Sequence, residues 1–223
     1  ILGSSKLMEP IHPRKWATKS LQTLSNFKNI LAIETSGLFC SVALRSGEEI
    51  KYNFTEKENE HGLVILDFID DLLKRFNLEK NELDLIAVSN GPGSFTGLRV
   101  GCSVAQALAF ANDIPLIPLS SLAVLAHQAH SKFDMKNIFV ITNAHMKELY
   151  IGSYQFENEQ IKILEKECLI SQEDLSNYVD INSTETLYVG NGITFLENIV
   201  DKNAYKNFFS HASNMFKLID LAI

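Results

Sequence analysis

From Asn29 onward the chain alternates short β-branched runs with helical stripes. NILAIETS, CSVALRS and EIKYNFTE are separated by the turn signals GLF and GE, which predicts three strands of an antiparallel meander. HGLVILDFIDDLLKRF follows, with Gly62, Ile65, Leu66, Ile69, Leu72, Leu73 and Phe76 at the i, i+3, i+4, i+7 spacing of one helical face, predicted to meet the sheet. Val64 and Phe68 fall outside that stripe. This is more apolar surface than a helix on one sheet requires, and it points to a second contact. LDLIAVSN is a continuous apolar run of the kind a buried strand shows; a glycine-rich turn, a helix over 95–111 and the strand IPLIP come next.

Around Pro118 the pattern restarts. SLAVLAHQAH reads as a helix, NIFVITNA, ELYIGSYQF and QIKILEKE as strands, SQEDLSNYV as a short helix and TLYVGN as a strand, with GITFLENIV and SNMFKLIDLAI as further helices. Two similar halves imply a duplicated α/β architecture, with 213–223 as the start of a C-terminal helix whose apolar pattern stops abruptly.

The turn SNGPGSFTG invites a phosphate-loop reading, but no lysine stands at the offset a Walker loop needs, and the third glycine of a dinucleotide fingerprint falls on Thr96. Gly91 and Gly93 still permit close backbone approach, and Ser94 or Thr96 can cap the following helix while its other amides attract an anion. Within that helix Gly97, Gly101, Ala105 and Ala109 recur every four residues as one stripe of minimal side chains. Glycine costs about 1 kcal/mol against alanine in a helix interior, so the stripe implies a closely packed neighbour, either the protein's own sheet or a helix of another chain. The surplus apolar surface on the helix over 61–76 favours the second.

Composition narrows the function. A net charge of −7 argues against a broad basic face holding a nucleic-acid backbone unaided, so any RNA is expected to need a partner's positive surface. The charge is uneven: residues 1–28 carry +4 and the remainder −11, which marks 1–28 as a basic extension or expression remnant outside the fold. No uncharged apolar run reaches membrane-spanning length, and the three scattered cysteines fit reduced thiols, so a soluble cytoplasmic protein is expected.

Chemical equipment is thin. Glu34 ends the first strand, where a carboxylate could hold a metal or a nucleotide's magnesium, but it stands alone. His127 and His130 share a helix without further ligands nearby, and read as solvated; His61 and His145 have no visible partner. No GxSxG elbow occurs, so no catalytic residue and no metal site is assigned.

ILAIETS, GPGSFTGLRVG and PLIPLSSLAVLA, in that order, together with NAHMKELYIGSY, resemble the bacterial TsaB family, also called YeaZ. The resemblance runs from about Asn29 to beyond Gly192, with Asn143, Ala144 and His145 where Asp, Ala and Arg are usual. It implies an actin-like, Hsp70-like fold of two ribonuclease H-like lobes with mixed β-sheets flanked by helices, 29–117 with the interaction helices and 118–212. It also implies a non-catalytic scaffold or activating subunit for threonylcarbamoyl transfer to the adenosine next to the anticodon of tRNA. The implied partners are a TsaD-like paralogue and a TsaE-like ATPase subunit, with a homodimer when alone. The isolated chain is expected to bind no cofactor, with ATP and Mg only within the complex.

TsaD carries its metal on two histidines of an NHxxxH-like motif, and Ser121 and Leu125 occupy those positions here. The resemblance assigns the helices after His61 and Gly93 to the partner bundle, which places Gly62, Val64, Phe68, Gly97, Gly101, Ala105 and Ala109 at an interface. Glu34, Gly91, Gly93, Ser94 and Thr96 remain nucleotide- or anion-site candidates, and the reading left open against the scaffold is an ATPase or phosphotransferase of the actin-like superfamily. The extension 1–28 is foreign to the family pattern, and its usual YLR-like tail is missing.

Overall fold

In a computed structural model, residues 27–157, 160–180, 183–196 and 204–222 are described. The sequence read as an extension therefore lies, up to residue 26, outside the described residues, as does much of GITFLENIV.

The first lobe begins with β1 (Asn29–Glu34), β2 (Ser41–Ser46) and β3 (Glu49–Phe54), the antiparallel meander expected from their alternation. Helix α1 (His61–Phe76), strand β4 (Leu85–Gly91), helix α2 (Phe95–Asn112) and strand β5 (Leu116–Ser120) complete a mixed sheet of order β3-β2-β1-β4-β5. Helix α3 (Ser121–Phe133) leads into the second lobe, where β6 (Asn137–His145), β7 (Glu148–Glu157), β8 (Gln160–Ser171), β9 (Thr186–Val189) and β10 (Ala204–Tyr205) form a sheet of order β10-β9-β6-β7-β8. Each sheet has an antiparallel meander on one side and parallel strands on the other, so the two orders coincide strand for strand. The duplication read from the sequence is a duplication of topology, and the molecule is a two-lobed α/β fold of mixed sheets flanked by helices.

Because β5 pairs with β4 as far as Ser120, the first sheet passes through the position where the sequence pattern restarts. Residues 213–223 do not stand apart either: α4 (Met215–Ala222) returns to the first lobe. Met215, Phe216 and Ile219 pack with Ile30, Ala32 and Leu85 on the sheet face opposite α1 and α2. Arg45 clamps Asp220 through paired 2.8 Å hydrogen bonds, which fixes the far end of α4. Between the lobes, Glu167 accepts hydrogen bonds from Tyr154 at 2.5 Å and from Ser120, while the Ser120 oxygen caps α3 by accepting from the Ala123 amide.

Helix α1 buries Ile65, Ile69, Leu72 and Leu73 as its spacing predicts, but the stripe is rotated at its start. Leu66, expected inside, is 57% exposed, and Val64 and Phe68, expected outside, pack against the first-lobe core. Gly62, one of the interface candidates, lies exposed with open space where a side chain would be.

The small-residue stripe of α2 requires a correction. Gly97, Gly101, Ala105 and Ala109 are all buried against the protein's own first lobe, so they cannot receive another chain. A Cβ on Gly97 would overlap the Thr35 carbonyl oxygen and lie 2.9 Å from the His61 ring; one on Gly101 would overlap the Thr35 hydroxyl. The stripe lets α2 approach the end of β1.

Candidate functional site

The segment after β1 and the turn after β4 face each other at the mouth of the first sheet. Gly91 adopts φ 110°, a conformation glycine alone takes easily, and Gly93 sits so close to the Ser36 carbonyl that a Cβ there would overlap it. The Ser94 amide donates to that carbonyl at 2.7 Å. Of the two capping candidates, Ser94 performs the role: its hydroxyl oxygen accepts from the Gly97 amide at 3.2 Å, while Thr96 is exposed.

Glu34 lies beneath this loop and is 1% exposed. Its carboxylate accepts from the Ser36 amide at 2.7 Å, from the Ser36 hydroxyl at 2.5 Å and from the Ser89 hydroxyl. Burial pushes its carboxyl above the usual range, and the hydrogen bonds from Ser36, Ser89 and Ser210 pull it part of the way back. These donors take up the carboxylate, so Glu34 organises the loop from below and does not present itself to a ligand.

Above it, a cavity of about 380 Å³ opens between the lobes. Gly93, Ser94 and Thr96 line it from the first lobe together with Ser210 of the C-terminal segment, and Asn143 and Asn191 from the opposite side; Gly91 and Glu34 do not line it. The sequence missed these partners because Asn191 shares no local motif with Asn143, nor Ser210 with Glu34. The Asn191 side chain accepts from the Asn143 amide at 2.9 Å, and the Asn143 side chain accepts from the His145 amide at 2.8 Å, so these residues brace one another across distant segments.

None of the cavity's described lining residues is an Asp, Glu, Lys or Arg. A magnesium nucleotide would find there neither a carboxylate for the metal nor a lysine or arginine for the phosphates, so these residues do not fit that ligand on their own. Ser121 and Leu125 also face the cavity, and the Ser121 hydroxyl donates to the Pro92 carbonyl, tying the turn to α3.

The other titratable candidates lie elsewhere. His127 is buried, not solvated as its spacing implied, and burial, followed by nearby His130 and Lys217, holds its pKa below the ordinary value. His130 stacks on Phe156 with its Nδ1 2.8 Å from the Met135 carbonyl. His61 is buried beside Gly97, with Nε2 3.1 Å from the Gly37 carbonyl; since a carbonyl only accepts, that nitrogen carries the hydrogen.

His211 closes the C-terminal segment over β3, stacked on Phe54 and edge-on to Tyr52, and its Nδ1 accepts from the Ser213 amide at 3.3 Å. Burial lowers its pKa from 6.5. A depressed histidine stabilises the fold above its unfolded pKa, and that contribution is lost as pH falls through the folded value. Both His127 and His211 act in this sense. The melting temperature should therefore fall as pH drops below about 6.5, and a thermal scan of the His211→Asn variant should show a shallower decline. An equal slope in both would remove His211 from this account.

A family model described as TsaD, tRNA N6-adenosine threonylcarbamoyltransferase, matches residues 55–223. The chain is 34% identical over 165 residues to the tRNA threonylcarbamoyladenosine biosynthesis protein TsaB of Buchnera aphidicola subsp. Schizaphis graminum, covering 73% of this chain and 78% of the relative. It is 39% identical to the protein of the same name from Haemophilus influenzae, over 55% of this chain and 52% of that one, so it spans about half the length of that relative. Among solved structures, YeaZ from Pseudomonas aeruginosa superposes with a TM-score of 0.78 at 28% identity, covering 87% of this chain and 92% of that one. The shared lobes, the GPGSFTGLR turn seated over Glu34 and these matches lead to one conclusion: the chain belongs to the TsaB (YeaZ) family, a branch of the wider family that the TsaD model describes.

Proposed function

We propose that the chain is a non-catalytic subunit that docks a TsaD-like protein and supports threonylcarbamoyl transfer to the adenosine next to the anticodon in tRNA. The observation that carries this reading is the outer face of the first lobe. Leu63 is 77% exposed and Leu66 57% on α1, and on α2 Phe95 is 68% exposed, its ring covered by Arg99 at 3.7 Å. Half-buried Val64, Phe68, Val100 and Val104 lie at the edge of the same core. Clustered apolar side chains on two neighbouring helices are what a helix-on-helix partner buries. The docking surface is thus the outward side of the helices that the sequence reading chose, with Val64 and Phe68 at its margin and the glycine stripe turned away from it.

A second copy occupies this face when the TsaD-like protein is absent. A TsaE-like ATPase joins the assembly, and any magnesium nucleotide is held with groups that partners supply. The site of action is the cytoplasm, and tRNA is met through the complex, since a net charge of −7 leaves no surplus of cations for its phosphates.

Co-purification with the cognate TsaD-like protein, followed by a tRNA-modification assay with and without this chain, tests partner and pathway together. Leu63→Asp with Leu66→Asp should weaken complex formation about tenfold or more, because a charge on each anchor must be desolvated, and should lower modification in parallel with the monomer's melting temperature unchanged. Full modification without the chain, or wild-type affinity in the double variant, would reject the reading.

A further inference from the structure

The turn between β6 and β7 breaks the chemistry of its own geometry. His145 pairs with Glu148, leaving Met146 and Lys147 as a two-residue hairpin loop, and His145, Met146 and Lys147 have φ of 66°, 49° and 64°. A two-residue turn with positive φ at both centres favours Asn-Gly, since side chains with a bulky Cβ crowd the backbone there. Methionine and lysine are poor choices for such a turn. The conformation is nonetheless braced: the Asn143 side chain accepts from the His145 amide at 2.8 Å, and the Gln172 amide donates to the Lys147 carbonyl at 2.9 Å. Met146 is 93% exposed at the apex and contributes nothing to its own lobe's core. Strain that is held rigidly in order to present an apolar, adaptable side chain marks a contact surface.

The position of the tip indicates what it meets. Ala144 and His145 line the same cavity as Phe95, Thr96 and Asn59, so the tip stands at the cleft mouth opposite the end of α2 that carries exposed Phe95. We propose that Met146 is a second anchor for the protein that docks on α1 and α2, received in an apolar socket on a TsaD-like partner that straddles the cleft and fixes the two lobes together. This rests on the docking reading above, and it adds the second lobe to an interface otherwise confined to the first.

Two variants separate the turn from the side chain. Met146→Asn with Lys147→Gly should raise the melting temperature by about 2 to 6 °C, because the turn then matches its residues, yet raise the Kd for the TsaD-like partner, by calorimetry, about tenfold. Met146→Ala keeps the turn and should weaken binding comparably with an unchanged melting temperature. Leu63→Asp with Leu66→Asp is run beside them. If that pair leaves binding intact, the docking reading itself fails; if it disrupts binding while both tip variants bind as wild type, the second anchor is wrong. A lower melting temperature for the Asn-Gly variant, or altered self-association with unchanged partner affinity, also overturns it.

Discussion

Gly97→Ala is expected to destabilise the protein by about 2 kcal/mol, against the sign that helix propensity alone would give. Alanine gains about 1 kcal/mol over glycine inside a helix. At this position, however, the added methyl overlaps the Thr35 carbonyl oxygen and reaches the His61 ring at 2.9 Å. The first obstacle is backbone at the end of β1 and cannot swing aside, so α2 itself must move away from the sheet. Overpacking costs about 1 to 3 kcal/mol, and with backbone as the obstacle the upper end applies, which leaves the net loss stated. Gly101→Ala meets the Thr35 hydroxyl, a side chain able to rotate, and should lose less. Urea unfolding at constant m-value decides between the two forces. A stabilised Gly97→Ala protein would mean that the stripe does not lie against β1 and that its assignment to the internal core is mistaken.

That contrast shows what could be read in the sequence and what could not. Gly97, Gly101, Ala105 and Ala109 announce a close neighbour through their spacing, but not its identity, because Thr35 is remote in the chain and the same stripe would serve a foreign helix equally well. Helix α1 has apolar residues around much of its circumference, so its period was legible while its phase was not: only the sheet beneath decides that Phe68 turns in and Leu66 out.

The strands β1 to β9 were legible because alternation and turn residues coincide, while β10, only two residues long, was not; the family was legible because GPGSFTGLR stands in order with its flanking segments. The return of α4 to the first lobe was hidden, since an amphipathic helix does not name the sheet face it covers. The Met146–Lys147 turn was located, between NIFVITNA and ELYIGSYQF, but its conformation was hidden, because it lacks the Asn or Gly that would have declared positive φ.

Glu34 was legible as a strand-end carboxylate but not as a buried one, and its two readings predict different outcomes. If it served a ligand at the surface of the cleft, Glu34→Ala would leave stability nearly unchanged. As the acceptor for the Ser36 amide and for the hydroxyls of Ser36, Ser89 and Ser210, its removal strands four donors in the core. The hydroxyls can turn to other acceptors, whereas the amide is fixed. A buried unsatisfied donor costs about 1 to 3 kcal/mol, so Glu34→Ala should lose about 3 kcal/mol in urea unfolding.

Glu34→Gln keeps an acceptor oxygen in place and should stay within about 1 kcal/mol of wild type. The pH dependence sharpens the comparison. Burial raises the Glu34 carboxyl above 4.5, so the stability contributed by its protonated form is complete below that value and is lost as pH rises through the folded pKa. Glutamine cannot ionise and escapes that loss, so the Gln variant should gain on wild type as pH climbs from about 4.5 toward neutrality. A constant difference across that range, with Glu34→Ala as stable as wild type, would return Glu34 from the scaffold of the loop to the list of groups free to meet a ligand.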